Sequence, residues 1–317
     1  MSAKIGPRRR VGRPTLRWAR ASAGAFPAFL RCGSPFSGAA RVSGVVGLCA
    51  AWVGLCGAGP AFKVPPAWTR PIAPFHIVGP IWYVGSEGLA SYLVKTRDGA
   101  ILIDGTMAQN VPGILRNIAA VGVRPRDVRL LVVTHAHFDH VAGDAAMVRA
   151  TGARLFAGTR DVAALESGIP PGEVNYQAVT FPPVHVTRGL SDGERLSLGG
   201  VTLRAVATPG HTPGCTSWTM RIQDHGRPLD VVFAGSLTAG GNLLVGNRRY
   251  PGIVADYRRS FARLAALPAD VVLPAHPEIA DVMQHRRDGL WVQPGLLKRI
   301  ALSSARDFDA ELKRQER

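Results

Sequence analysis

From Pro80 onward the chain switches between two hydrophobic periods, and the switches mark out its elements. Short apolar runs at Ile81–Val84, Ser91–Lys95 and Ala100–Ile103, separated by Gly-containing turns, predict strands of an antiparallel meander. Apolar Ile114, Leu115 and Ile118 recur at helical spacing and predict a helix over Val111–Val121. Val128–Val133 reads as a buried strand that stops at Thr134, and helices over Gly143–Ala150 and Arg160–Ser167 flank a strand at Arg154–Ala157.

The second half repeats the theme. Strands are predicted at Arg195–Leu198, Val201–Ala207, Thr216–Ile222 and Asp230–Ala234. A helix over Ala255–Leu267 leads to a strand at Asp270–Leu273, and a last helix runs from about Pro294 to Lys313. Two strand-rich halves, each closed by helices, predict an α/β fold: an αβ/βα sandwich with the sheets face to face and the helices outside.

Charge changes the picture only by its position. The chain has 317 residues, ample for one large domain, and its 38 basic against 22 acidic side chains would by themselves suggest an anionic partner. Nine of the basic ones (Lys4, Arg8, Arg9, Arg10, Arg13, Arg17, Arg20, Arg31, Arg41) fall within residues 1–41, which hold no acidic residue. Residues 42–61 are uncharged, so the remainder carries 16 − 9 = +7. The basicity belongs to a leader, and no nucleic-acid partner is expected.

That leader has the order of an export signal: basic segment, apolar run Val42–Cys56, small-residue exit Gly59-Pro60-Ala61. Cleavage near Ala61 divides the chain into a leader, 1–61, and a working domain, 62–317, that is periplasmic and free of the membrane after processing. The apolar run is short of the roughly 20 residues of a membrane span, and an uncleaved anchor is the alternative. Cys32, Cys49 and Cys56 lie within the leader, leaving only Cys215. One thiol makes neither an internal disulfide nor a thiolate metal cluster, so any metal must be held by histidine and carboxylate.

Thr134-His135-Ala136-His137-Phe138-Asp139-His140 follows the buried strand directly and supplies four candidate ligands. Alternation puts His135 and His137 on one side, while Asp139 and His140 turn away at the loop tip, so one segment can feed two adjacent metals. Neutral imidazole and carboxylate suit zinc; a solvated histidine-rich loop is the bland alternative. His211, in Thr208-Pro209-Gly210-His211-Thr212-Pro213-Gly214, and His276, in Pro274-Ala275-His276-Pro277, both follow predicted strands, where an α/β scaffold gathers functional side chains. His76, His185, His225 and His285 are scattered and read as surface or turn residues.

On these motifs the chain resembles the metallo-β-lactamase superfamily from about Pro80 to Ala280. The resemblance implies two mixed sheets and two Zn2+ ions per chain, the first held by His135, His137 and His211, the second by Asp139, His140 and His276. It makes Asp104, in Ile103-Asp104-Gly105, a buried aspartate that orients a ligand histidine; a turn-forming Asp-Gly pair is the alternative. Most hydrolases of the superfamily bridge the metals with an aspartate where Val232-Phe233-Ala234-Gly235-Ser236-Leu237-Thr238 has Ser236. That serine, with Gly246–Pro251 and Asp256–Phe261, is similar to subclass B3. Members often have an acidic residue at Gly235, and some a disulfide near Ala269; this chain has neither. The implied activity is opening of a small-molecule β-lactam by a metal-bound hydroxide. Asp139 accepts a hydrogen bond from that hydroxide, and Ser236 and Thr238 are candidates for the substrate carboxylate, with a turn role equally open for Thr238. The resemblance leaves a zinc lactonase or thioesterase, of the kind that hydrolyses hydroxyacylglutathione, as the alternative. A binder that grips its partner through the basic leader is a third reading. The working domain is expected to be a monomer.

Overall fold

Alternating residues on the strands of the first half face two different cores. The computed structural model describes residues 61–317; the basic leader, the run Val42–Cys56 and Cys32, Cys49 and Cys56 lie outside the described residues. The first sheet runs in the order β1 (Phe75–His76), β2 (Ile81–Tyr83), β3 (Tyr92–Thr96), β4 (Gly99–Ile103), β5 (Val128–Val132), β6 (Arg154–Gly158), β7 (Arg188–Leu190). Pairing is antiparallel as far as β4 and parallel beyond it. The second sheet comprises β8 (Arg195–Leu198), β9 (Val201–Ala207), β10 (Thr216–Asp224), β11 (Arg227–Ala234) and β12 (Val271–Pro274), with only β11 and β12 parallel. Both sheets are therefore mixed.

Tyr92, Val94, Ile101, Ile103, Leu130 and Val132 point between the sheets, against Leu203, Ala205, Trp218 and Phe233. Their neighbours Leu93, Leu102, Leu131 and Val133 point the other way, onto α1 (Val111–Ala120), α3 (Asp144–Thr151) and α4 (Val162–Ser167), meeting Ile114, Ile118, Met147 and Leu165. A slip of one residue would exchange the two sets, which is why the register is well specified. On the other side α5 (Ile253–Ala266) and α7 (Leu296–Gln315) join the core through Tyr257, Phe261 and Phe308, with Tyr257 and Phe308 rings 4.7 Å apart.

Several boundaries differ from the periodicity. β10 and β11 continue past Ile222 and begin before Asp230, closing on a two-residue turn, His225-Gly226, with φ of 47° and 78°. Primed turns of this kind match strand twist, so the ladder extends through polar residues that carry no apolar signal. The two-residue β1 and three-residue β7 at the sheet's rims, and α6 (Val282–Asp288), are too short or too polar to show a period. No helix among the described residues is long and apolar enough to cross a membrane.

Candidate metal centre

Six strands build one site with their ends. β5 leads into the histidine segment, β9 and β10 hold the His211 turn between them, β12 ends before His276, and β4 and β11 end before Asp104 and Ser236. The two sheets are tied together at this rim. The Trp218 indole donates to Val133 O at 3.0 Å, Thr216 N to Thr134 O at 2.8 Å, and Tyr92 OH to Pro274 O at 2.8 Å.

One sequence expectation is corrected here. Asp139 and His140 do not lie at a loop tip; they sit on a single helical turn, α2 (Phe138–Val141), with extended His137 at its N-cap. The turn from strand to helix re-aims successive side chains, so residues 135–140 reach two places. His135, His137 and His211 converge with ligand atoms within 4.8 Å of one another, as do His135, Asp139 and His140. His137 Nδ1 lies 2.9 Å from His211 Nε2. At the second place His140 Nε2 is 3.1 Å from His276 Nε2 and 3.2 Å from Asp139 Oδ2, with His276 Nε2 3.3 Å from that same oxygen. Ligands roughly 2.0–2.1 Å from a tetrahedral ion stand about 3.3 Å apart, so these separations fit metal coordination.

Neighbours fix which nitrogen faces inward. Asp104 accepts from Thr134 N at 2.7 Å and from Thr134 Oγ1 at 2.6 Å; with the hydroxyl proton so committed, Thr134 Oγ1 accepts from His135 Nδ1 at 3.1 Å. His135 Nε2 is left with its lone pair, buried and without a hydrogen-bond partner. His211 Nδ1 donates to Thr238 O at 2.9 Å, and that carbonyl also takes the Tyr257 hydroxyl at 2.6 Å. Asn242 Nδ2 holds His211 O at 3.0 Å. Asp104 Oδ2 lies 3.6 Å from His140 Nδ1, which turns His140 Nε2 toward Asp139 and His276. Asp104 itself has φ 59°, so it forms the turn and also faces the histidine. Gly105 follows because a Cβ there would lie 2.2 Å from Asp144 Oδ1.

Electrostatics separates the two places. Burial holds the His135 and His211 imidazoles well below their ordinary range and brings His137 down to about 4, so the first group is neutral at physiological pH. Burial also disfavours charge on His140, but Asp139 and Asp104 outweigh it and hold that imidazole up to about 10. Burial opposes ionisation of Asp139 too, yet His140 and His276 keep its carboxyl well below the usual range. The second corner thus stabilises positive charge.

A profile of the Metallo-beta-lactamase superfamily matches residues 87–276. The chain belongs to this superfamily. It is similar to BJP-1, a subclass B3 metallo-beta-lactamase of Bradyrhizobium japonicum, at 42% identity over 79% of this chain and 97% of that one, with a TM-score of 0.77. The metallo-beta-lactamase FEZ-1 from Legionella gormanii matches at 36% identity over 80% of this chain and 99% of its own, with a TM-score of 0.74. Among curated proteins, the hydroxyacylglutathione hydrolase of Pseudomonas paraeruginosa is 32% identical over 162 residues, half of this chain and 52% of that protein. The chain spans about half the length of the first such relatives. Within the superfamily's frame, the residues of this chain form a metal-binding cluster.

The superfamily's frame also locates the two departures. A Cβ at Gly235 would lie 2.7 Å from Cys215 Sγ, so the buried thiol fills the space an acidic side chain at 235 would enter. Ala269 packs among the partly buried apolar residues beside the core, where a bridge would otherwise serve. Ser236 is buried, with its Oγ 3.4 Å from Thr238 Oγ1, whereas the Thr238 side chain is exposed. Thr238 acts on the site through its carbonyl, a role that side-chain reasoning missed.

Other missed residues include an aromatic wall beside the second group. Trp68 lies 5.3 Å from the His276 ring, and Phe62 touches Trp68, Phe138 and Tyr176 at 5.2–5.5 Å. Burial and the nearby Asp139 carboxylate push the Tyr176 hydroxyl up to about 12, so it stays a neutral donor. None of these carries a local sequence signal. Three of the scattered histidines are at the surface or in a turn: His76 meets Gly79 O, His185 is 85% exposed beside Glu166, and His225 is in the hairpin turn; His285 instead lies half-buried on α6 and meets Gln293.

Proposed function

We propose that this chain is a periplasmic, dinuclear zinc hydrolase that opens β-lactam rings, working as a monomer on small molecules. The observation that carries the reading is a six-residue nitrogen and carboxylate cluster beside Ser236 where most of the superfamily's hydrolases place a bridging carboxylate. The near-full-length similarity to subclass B3 enzymes supports it.

His135, His137 and His211 would hold the first zinc; Asp139, His140 and His276 would hold the second. When bound, zinc would supply Lewis acidity toward the lactam carbonyl and would lower the pKa of a coordinated water. The chain's own residues do the rest. Asp139, ionised and facing both groups, orients the attacking oxygen by accepting a hydrogen bond from it. Asp104 fixes His135 through Thr134 and faces His140, so the cluster needs little reorganisation during the reaction. Ser236 Oγ and Thr238 Oγ1 offer hydroxyl donors to the substrate carboxylate, and the wall of Phe62, Trp68 and Tyr176 excludes water from the ring.

A second reading, thioester hydrolysis, draws on the hydroxyacylglutathione hydrolases among the relatives. Ser236 separates the two. An aspartate there would neutralise part of the cations' field, raising the pKa of the shared water, and fill space beside the second metal that a departing lactam nitrogen needs. Wild type is expected to turn over a chromogenic cephalosporin faster than S-lactoylglutathione. Ser236→Asp should lower cephalosporin kcat/KM at least tenfold, about 1.4 kcal/mol of barrier, while thioester turnover falls less or rises. Measurement at matched zinc occupancy decides it; unchanged cephalosporin turnover in the variant would remove position 236 as the determinant.

The order of basic segment, apolar run and small-residue exit supports export, so the protein recovered from periplasm should begin near Phe62. Intact-mass spectrometry reads this directly. A full-length chain in the membrane fraction would favour the anchor.

A further inference from the structure

We propose that Asp161 is a positioning residue that clamps the two loops carrying the first three histidines to each other. It belongs to neither metal group. It ends the short 3-10 turn Thr159–Asp161 after β6 and is buried. One oxygen, Oδ2, accepts from Ala136 N at 2.9 Å, the amide between His135 and His137, and from Thr212 Oγ1 at 2.6 Å, next to His211. The other, Oδ1, accepts from Gly214 N at 2.7 Å. One carboxylate thus joins residues 25 positions before it to residues 51 and 53 positions after it.

The fit around this clamp is close. A Cβ on Gly214 would lie 2.4 Å from Asp161 N and 2.7 Å from its Cβ and Cγ, and one on Gly158 would lie 2.1 Å from Gly214 O. Both glycines are therefore required for the β6 end to dock under the His211 turn. Burial pushes Asp161 up to about 6, against the pull of its three hydrogen-bond donors and of Arg160, so at neutral pH it is a carboxylate able to accept all three. An amide has the same shape but only one accepting atom, and must leave at least one of these buried N–H or O–H groups facing a donor. Holding ligands in place before the metal arrives is what outer residues of a metal site do, and their loss typically weakens binding by about 10–100-fold.

The inference rests on the reading that His135, His137 and His211 hold a metal, and the readout is binding of Zn2+ itself rather than turnover. Asp161→Asn is expected to weaken Zn2+ binding at the site of His135, His137 and His211 at least tenfold in competition with a chromophoric chelator, and to shift the visible bands of the Co2+-substituted protein. Thr212→Val removes one of the three donors and should show a smaller loss, which Thr212→Ser, retaining the hydroxyl, restores. Melting of the metal-free proteins separates a general loss of stability from a loss at the site. Unchanged Zn2+ affinity and unchanged Co2+ bands in folded Asp161→Asn would overturn the proposal. Should that variant not fold, equal Zn2+ affinity in Thr212→Val and Thr212→Ser overturns it instead. A wild-type protein that takes up no ion at the three histidines would overturn the metal reading, and the clamp with it.

Discussion

Chelation of the purified protein is expected to lower cephalosporin turnover by at least about a thousandfold, roughly 4 kcal/mol of barrier, with recovery on adding Zn2+. The magnitude follows from what the side chains cannot do alone. Asp139 is an ionised, weak base and the first three histidines are neutral. Cys215, the one thiol among the described residues, is buried and pushed up to about 12 by desolvation, which leaves it inert. Two variants divide the metal content. His211→Ala should deplete the first site and His276→Ala the second, each leaving close to one zinc per chain by elemental analysis against two in wild type. Full activity in His276→Ala, with one zinc bound, would overturn the dinuclear reading.

Asp139→Asn should lower kcat by about a hundredfold or more, the scale for losing a group that positions the attacking atom. The carboxylate has two tasks that an amide does poorly. It lies 3.2–3.3 Å from His140 Nε2 and His276 Nε2, stabilising positive charge at that corner, and it is placed to accept a hydrogen bond from the attacking oxygen. The variant should therefore lose both zinc at the second site and the acceptor that orients the attacking oxygen. Restoring full occupancy with excess Zn2+ is expected to recover only part of the rate. Complete recovery under those conditions would confine Asp139 to metal binding.

Much of this was legible in the residues because the informative signals are local. Short apolar runs at Ser91–Lys95 and Ala100–Ile103 marked strands, and H-x-H-x-D-H after a buried strand marked the chemistry. Where local signal is absent the reading stopped short. Asp139 and His140 were expected at a loop tip and lie on a helical turn, because four residues are too few to reveal a helical period. β10 and β11 reach further than their apolar cores, because a ladder continues as long as backbone groups can pair.

By itself the sequence determined the fold class, the superfamily and the candidate ligands, since each rests on patterns within about ten residues or on a motif at a strand end. Only the tertiary structure decided which candidates meet. His137 and His211 are 74 residues apart, His140 and His276 are 136 apart, and their nitrogens come within 2.9 and 3.1 Å because the two sheets pack face to face and are tied at this rim. The same docking gives Thr238 its role through a carbonyl, brings Trp68 beside His276, and sets Asp161 between two ligand loops. These are long-range contacts fixed by sheet register and core packing, and no spacing along the chain encodes them.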